Sequence, residues 1–183
     1  MSPRKTEGAE TCLLDDFANG GNPSAIGTQW EGFTDRVMGG LSQMHCGVVD
    51  TDRGPALQMR GQVRLDNGGG FIQVRLPLSA SGEAIDGSAW SAVAVEARGE
   101  PGAYYLHART ADTRRPWQHY RAPLPVEEDW QRVVVPFAHF VPQGLDAPLD
   151  RSRLLTVAVV AYGQAFEALL EVQRLELTTE CEQ

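Results

Sequence analysis

Apolar and polar residues alternate with period two through four separate segments of the chain. In Ala56–Leu65, Leu57, Met59, Val63 and Leu65 share one face, and Gln58, Arg60, Gln62 and Arg64 share the other. Phe71–Leu76 sets Ile72, Val74 and Leu76 against Gln73 and Arg75, and Ala92–Arg98 sets Val93, Val95 and Ala97 against Glu96 and Arg98. Tyr104–Arg109 divides into Tyr104, Leu106 and Ala108 against Tyr105, His107 and Arg109. Successive side chains of a strand point to opposite faces, so each segment predicts a strand with one face in a core and one in water. Trp130–Val135, Leu154–Ala161 and Leu169–Leu177 are more continuously apolar and read as more fully buried strands.

Clusters of turn residues separate these segments, among them Asn19-Gly20-Gly21-Asn22, Asn67-Gly68-Gly69-Gly70 and Pro101-Gly102. Helix has little room. Phe137–Phe140 is enclosed by Pro136 and Pro142 and holds a single turn, and Arg151–Leu155 holds at most another. The pattern predicts an all-β fold, an antiparallel sandwich or barrel with one or two short helical turns. It spans one domain over residues 11–179, with flexible ends at 1–10 and 180–183. Trp130 and Phe137 are the expected core anchors.

Composition narrows the functional classes. The chain has 183 residues, 42% of them hydrophobic and 22% charged, which is ordinary globular material. Its formal net charge is -8, and the arginines are scattered except for Arg114-Arg115. Phosphate backbones repel such a surface, so nucleic acid is not an expected partner. Cys12, Cys46 and Cys181 lack the spacing of a zinc site or a disulfide framework and read as idle thiols. No apolar run reaches the ~20 residues that cross a bilayer. The first ten residues lack the apolar core of a signal peptide. A cytoplasmic protein that does not span a membrane is expected.

Catalytic signatures are missing: there is no G-x-S-x-G elbow, no P-loop lysine motif and no H-E-x-x-H. His45, His107, His119 and His139 show no metal-pair spacing, although His107 and His119 can meet across neighbouring strands. No metal, cofactor or catalytic residue is expected. The polar faces say more. Gln73, Arg75, Arg98, Tyr105, His107, Arg109, Gln118 and Tyr120 combine planar hydrogen-bonding groups with rings, a mixture that suits a sugar, peptide or carboxylate. A solvated sheet face takes the same residue types, so that alternative stays open. In Thr34-Asp35-Arg36-Val37-Met38-Gly39-Gly40-Leu41-Ser42, Asp35 suits backbone N–H acceptance and Gly39-Gly40 suit positive φ at a bulge. Asp35 and Arg36 would equally form a buried pair.

This last block, preceded by Trp30, resembles the opening signature of the complex I intermediate-associated protein 30 (CIA30) family. Further blocks are similar to the family's pattern: Gly61 with Asn67-Gly68-Gly69-Gly70-Phe71 and Arg75; Arg98-Gly99 with Gly102, Tyr104-Tyr105-Leu106 and Arg109-Thr110; and Tyr120, Ala122, Trp130, Val135-Pro136-Phe137 and Phe140. The resemblance runs from Leu13 to Leu177. It implies a galactose-binding-domain-like jelly-roll sandwich, without catalysis. Mitochondrial members are assembly chaperones for respiratory complex I (NADH:ubiquinone oxidoreductase). The implied function is a binding or assembly-factor domain with a protein partner, such as a respiratory-complex subunit. The positions expected on its shared surface are Asp35, Arg36, Asn67, Arg75, Arg98, His107, Arg109 and Tyr120. The alternative is a carbohydrate-binding module that uses the polar sheet face, with Tyr105, Trp117 or Tyr120 as the stacking platform. An exposed indole beside Arg and Gln would favour the alternative.

Overall fold

The described residues, 8–181 of a computed structural model, form two antiparallel sheets packed face to face. The first runs in the order β3 (Gln43–Thr51), β4 (Gly54–Val63), β12 (Phe166–Thr178), β6 (Ala92–Gly99), β9 (Gln131–Pro136). Here β1 (Thr11–Asp15) pairs the end of β12 that β4 does not reach. The second runs β10 (Val141–Gln143), β8 (His119–Pro123), β7 (Tyr104–Thr110), β11 (Leu154–Tyr162), β5 (Phe71–Pro77), β2 (Glu31–Thr34). The expected β-sandwich is present. No helix among the described residues is long and apolar enough to cross a membrane.

Register turns the alternation into layers. On the inner face of the second sheet, Val74, Val159, Leu106 and Ala122 stand in one row, and Leu76, Val157, Ala108 and Tyr120 in the next. All are buried, and they meet Leu57, Met59, Val63, Val93, Val95, Leu170 and Val172 of the first sheet. A strand of period two can only do this by turning its alternate residues outward together. One outward row of the second sheet therefore reads Glu31, Arg75, Ala158, His107, Arg121.

Several expectations need correction. Tyr120 belongs to the core: it is fully buried, and its hydroxyl donates to Ala147 O at 2.9 Å. Arg98 lies on the first sheet, on the far side of the molecule from Arg75 and Arg109. The Trp130–Val135 segment is an edge strand rather than a buried one, with Gln131 and Arg132 exposed. Trp130 itself is half-buried outside the core, with the Arg98 guanidinium 4.7 Å from its ring centroid. Leu65 lies past the end of β4 and is exposed. Phe137 is a core residue as expected.

The 3₁₀ turns at Phe137–His139 and Arg151–Arg153 fall where room was left for them. Two more, at Asp35–Met38 and Asp66–Gly68, sit in the glycine-rich blocks. The flexible ends expected at 1–10 and 180–183 lie mostly outside the described residues. Of those described, Glu10 N–H donates to Thr179 Oγ1 and Glu180 pairs with Arg132.

Candidate functional site

The outward face of the second sheet is not flat. Two loops rise beside it and enclose a cleft of about 620 Å³. One wall is the pair of glycine-rich turns, contributing Val37, Met38 and Gly68–Gly70; the other is the Pro116-Trp117 corner that leads into β8. Gln73, Arg75, His107, Arg109, Thr156 and Ala158 come from the strands between, and Phe33, Phe71 and Tyr162 close one end.

The first wall is organised by one carboxylate. Asp35 is fully buried, and its oxygens accept from Ser42 N at 3.0 Å, Ser42 Oγ at 2.5 Å and Gly70 N at 2.7 Å. Ser42 Oγ in turn accepts from Arg64 N at 2.9 Å. Both glycine blocks therefore converge on Asp35. A Cβ at Gly40 would sit 2.4 Å from Asp35 Cγ, and one at Gly69 2.5 Å from Oδ2, so neither position admits a side chain without displacing the carboxylate. Gly39 takes φ 85 and caps the first turn, as positive φ requires. Asp35 and Arg36 do not form a buried pair: Arg36 is exposed, and its Nε donates to Ser42 O. Asn67, in the left-handed region at φ 57, donates from Nδ2 to Gly39 O and ties the turns together.

The second wall is held from below. Arg109 Nη2 donates to the carbonyls of Thr113 and Arg115, and Gln118 Nε2 donates to Gly144 O. This bracing presents Trp117 to solvent at 64% exposure. Gln118, grouped by sequence with the polar face, thus braces the loop.

On the floor, His107 and His119 stack with centroids 4.0 Å apart and planes at 19°. His119 Nδ1 must donate to Trp117 O at 2.9 Å, since a carbonyl only accepts, and its Nε2 keeps the lone pair when the ring is neutral. Burial, with His119 and Arg121 nearby, pushes the His107 imidazole down to about 2. Burial likewise lowers His119, against the Trp117 carbonyl bond. Burial and then Arg75 lower the Arg109 guanidinium. Four buried side-chain atoms among the described residues lack a hydrogen-bond partner: His107 Nε2, Arg109 Nε, His119 Nε2 and Thr156 Oγ1. All four belong to residues that line this cleft. Buried polar atoms are normally paired, so four unpartnered ones in one cleft make it the candidate binding site. His107 is buried to 8% exposure on this outward face.

Of the positions expected from sequence, the structure brings Arg75, His107 and Arg109 together in the cleft. Asp35, Arg36 and Asn67 build its wall, while Arg98 and Tyr120 lie elsewhere. Sequence reasoning missed Phe33, Phe71, Thr156 and Tyr162. Phe71 and Tyr162 end their strands as register partners, a relation that no local pattern carries. A larger open groove of about 1400 Å³ runs beside β9. None of its described lining residues is aromatic, and its Arg132 is already paired with Glu176 and Glu180. The three cysteines are free thiols, and no cluster of metal-ligating side chains occurs among the described residues.

Two facing antiparallel sheets in this order, with a walled cleft across one of them, make a galactose-binding-like jelly-roll β-sandwich. Its fold is similar to the family 11 carbohydrate-binding module of cellulosomal cellulase Lic26A-Cel5E of Clostridium thermocellum: TM-score 0.72 at 14% identity, covering 93% of this chain and 95% of that one. A second structure of a family 11 module from that organism, in complex with a β-1,3-1,4-mixed-linked tetrasaccharide, gives 0.68 at 14% identity over 91% and 94%. The family 30 module of Cel9D-Cel44B from the same organism gives 0.61 at 15% identity over 84% and 92%. By sequence, no curated protein matches the chain. Residues 21–164 match the model of the complex I intermediate-associated protein 30 (CIA30) family, and the chain belongs to that family.

Proposed function

We propose that this CIA30-family protein is a non-catalytic binding domain whose cleft seats a saccharide. Trp117 carries the reading. An indole 64% exposed at the rim of a cleft that also holds Arg75, Arg109 and Gln73 is the arrangement in which a sugar ring stacks while planar donors fix its hydroxyls. Carbohydrate-binding modules among the similar folds add support, one of them with a bound tetrasaccharide. Among the described residues no carboxylate hydrogen-bonds to His107 or His119, so the cleft offers no paired acid and base. Calorimetric titration with a panel of neutral and acidic oligosaccharides tests the reading. Binding that is lost in Trp117→Ala is expected; silence across the panel at millimolar sugar overturns it.

A protein partner is the second reading, favoured by the family's description and by a specific surface. Val37 and Met38 are 71% and 62% exposed on the lip of the cleft, an apolar pair of the kind interfaces cover. Such a partner would be a respiratory-complex subunit or assembly intermediate. Native electrophoresis tests it: the protein should co-migrate with a complex I intermediate, and Met38→Asp should abolish this. Migration alone in both forms overturns it.

A further inference from the structure

The two outward faces of the sandwich treat their arginines differently. On the first sheet Arg98 pairs with Asp52 and Glu171, Arg132 with Glu176 and Glu180, and Arg174 with Glu176. Each of these three guanidiniums meets at least one carboxylate, whereas Arg60, on β4 of the same sheet, extends into solvent. The cleft side of the second sheet is different. Arg109 spends Nη2 on two carbonyls, leaves Nε unpartnered and has no ion pair among the described residues. Arg121 lies over the Tyr105 and Tyr162 rings, 5.1 and 4.8 Å from their centroids, and among the described residues its hydrogen bond is to Gln143. Of these three, Arg75 is the one paired with an acid among the described residues: Glu31 on the edge strand β2, at 2.8 Å.

Positive charge therefore gathers around a half-enclosed cleft in a chain of net charge -8. Arg75 and Arg109 are close enough to repel, and Arg109 and Arg121 both disfavour a second proton on His119. Like charges in a partly desolvated site are unfavourable until something of opposite sign enters. A guanidinium fork matches a planar carboxylate better than it matches any neutral group. His119 Nε2 and Thr156 Oγ1, which accept, suit hydroxyls beside that carboxylate.

We propose that the cleft takes an acidic saccharide: a sugar stacked at Trp117 whose carboxylate lies against Arg109 and Arg75. The proposal rests on the saccharide reading and adds the charge of the ligand. Glu31 would then act as the placeholder counter-charge on Arg75 until the ligand carboxylate shares it.

The test is calorimetric titration of the intact protein with oligomers of galacturonate and of mannuronate, each beside its own methyl ester, and with poly-glutamate. The ester keeps the rings and removes the charge. At low salt at least one uronate should bind about 10-fold or more tighter than its ester, and added salt should narrow the gap. Arg109→Gln and Arg75→Gln should each weaken the acid more than the ester and so close the gap between them. Arg109 also braces the Trp117 loop, so Arg75→Gln, on a strand surface, decides if Arg109→Gln misfolds. Equal binding of acid and ester overturns the acidic-ligand proposal and leaves the saccharide reading standing. Binding of neutral sugars alone does the same. Binding of poly-glutamate with no sugar bound, or no binding at all, overturns both.

Discussion

The carboxylate of Asp35 accepts a hydrogen bond at 2.7 Å from the backbone N–H of Gly70, joining two glycine-rich turns that lie 35 residues apart. Asp35 is fully buried, so its acceptors are not interchangeable with water. Asp35→Ala leaves the backbone N–H groups of Ser42 and Gly70 without an acceptor, and unsatisfied buried groups cost about 1–3 kcal/mol each. Urea melts should show a loss of about 2–4 kcal/mol. Gly40→Ala and Gly69→Ala should destabilise in the same direction, because each new Cβ meets the carboxylate. A parent-like melt for Asp35→Ala would mean that the node does not organise the wall.

Two aromatic residues expected to be equivalent anchors separate in the structure. Phe137 is buried in the core, whereas Trp130 is half-buried beneath Arg98. Phe137→Ala should cost about 3–5 kcal/mol through lost burial and a residual cavity. Trp130→Ala should cost about 1–2 kcal/mol, the scale of a cation–π contact with partial burial. Paired denaturant melts of the two variants check the ordering.

Ala158 stands at the centre of the outward row, between Arg75 and His107, and is buried. Its small side chain keeps the floor of the cleft low. Ala158→Phe should fill the cleft and abolish saccharide binding, at a stability loss of about 1–3 kcal/mol from overpacking. Trp117→Ala should do the converse: weaken binding while leaving stability within about 0.5 kcal/mol, as expected for an exposed residue. Titration and melting of both variants distinguish a blocked seat from a damaged fold.

The buried imidazole makes stability depend on pH. His107 titrates near 6.5 when unfolded and is pushed down to about 2 when folded. Between those values the unfolded chain binds the extra proton, so His107 contributes its full stabilisation above pH 6.5 and progressively loses it as pH falls towards 2. The slope is at most about 1.4 kcal/mol per pH unit for this one group. His119, lowered in the same direction, steepens it. Acidic groups such as Asp52, Asp66 and Glu176 are held below the ordinary carboxylate range, so the interval from about pH 6.5 to 5 isolates the histidines. Urea melts across that interval should show falling stability in the parent and a flatter profile in His107→Leu. An unchanged slope in the variant would assign the dependence elsewhere.

Alternation made the strands legible, because a period of two is local and survives whatever sheet the strand joins. It could not say which sheet. Arg75 and Arg98 stand in the same pattern of alternation, yet β5 and β6 belong to opposite sheets, and only Arg75 reaches the cleft. Tyr120 shows the second limit. In a five-residue strand flanked by His119 and Arg121, a tyrosine reads as part of the polar face, but register places it opposite Ala108 in the core. The role of Asp35 as an acceptor was readable from its neighbours, whereas its bond to Gly70 is a tertiary fact. The cleft itself comes from two loops closing over a sheet. Its deepest signal, unpartnered buried atoms on four residues from β7, β8 and β11, exists only after folding.

The indole N–H resonances of Trp30, Trp90, Trp117 and Trp130 place bound ligand directly, because Trp117 lines the cleft while Trp130 lies by Arg98 of the other sheet. In a ¹H–¹⁵N titration with an oligosaccharide that binds, the Trp117 signal should shift with the saturation curve and the Trp130 signal should stay in place. A Trp130 signal that moves while Trp117 is unaffected would put the binding surface on the opposite sheet and contradict the account.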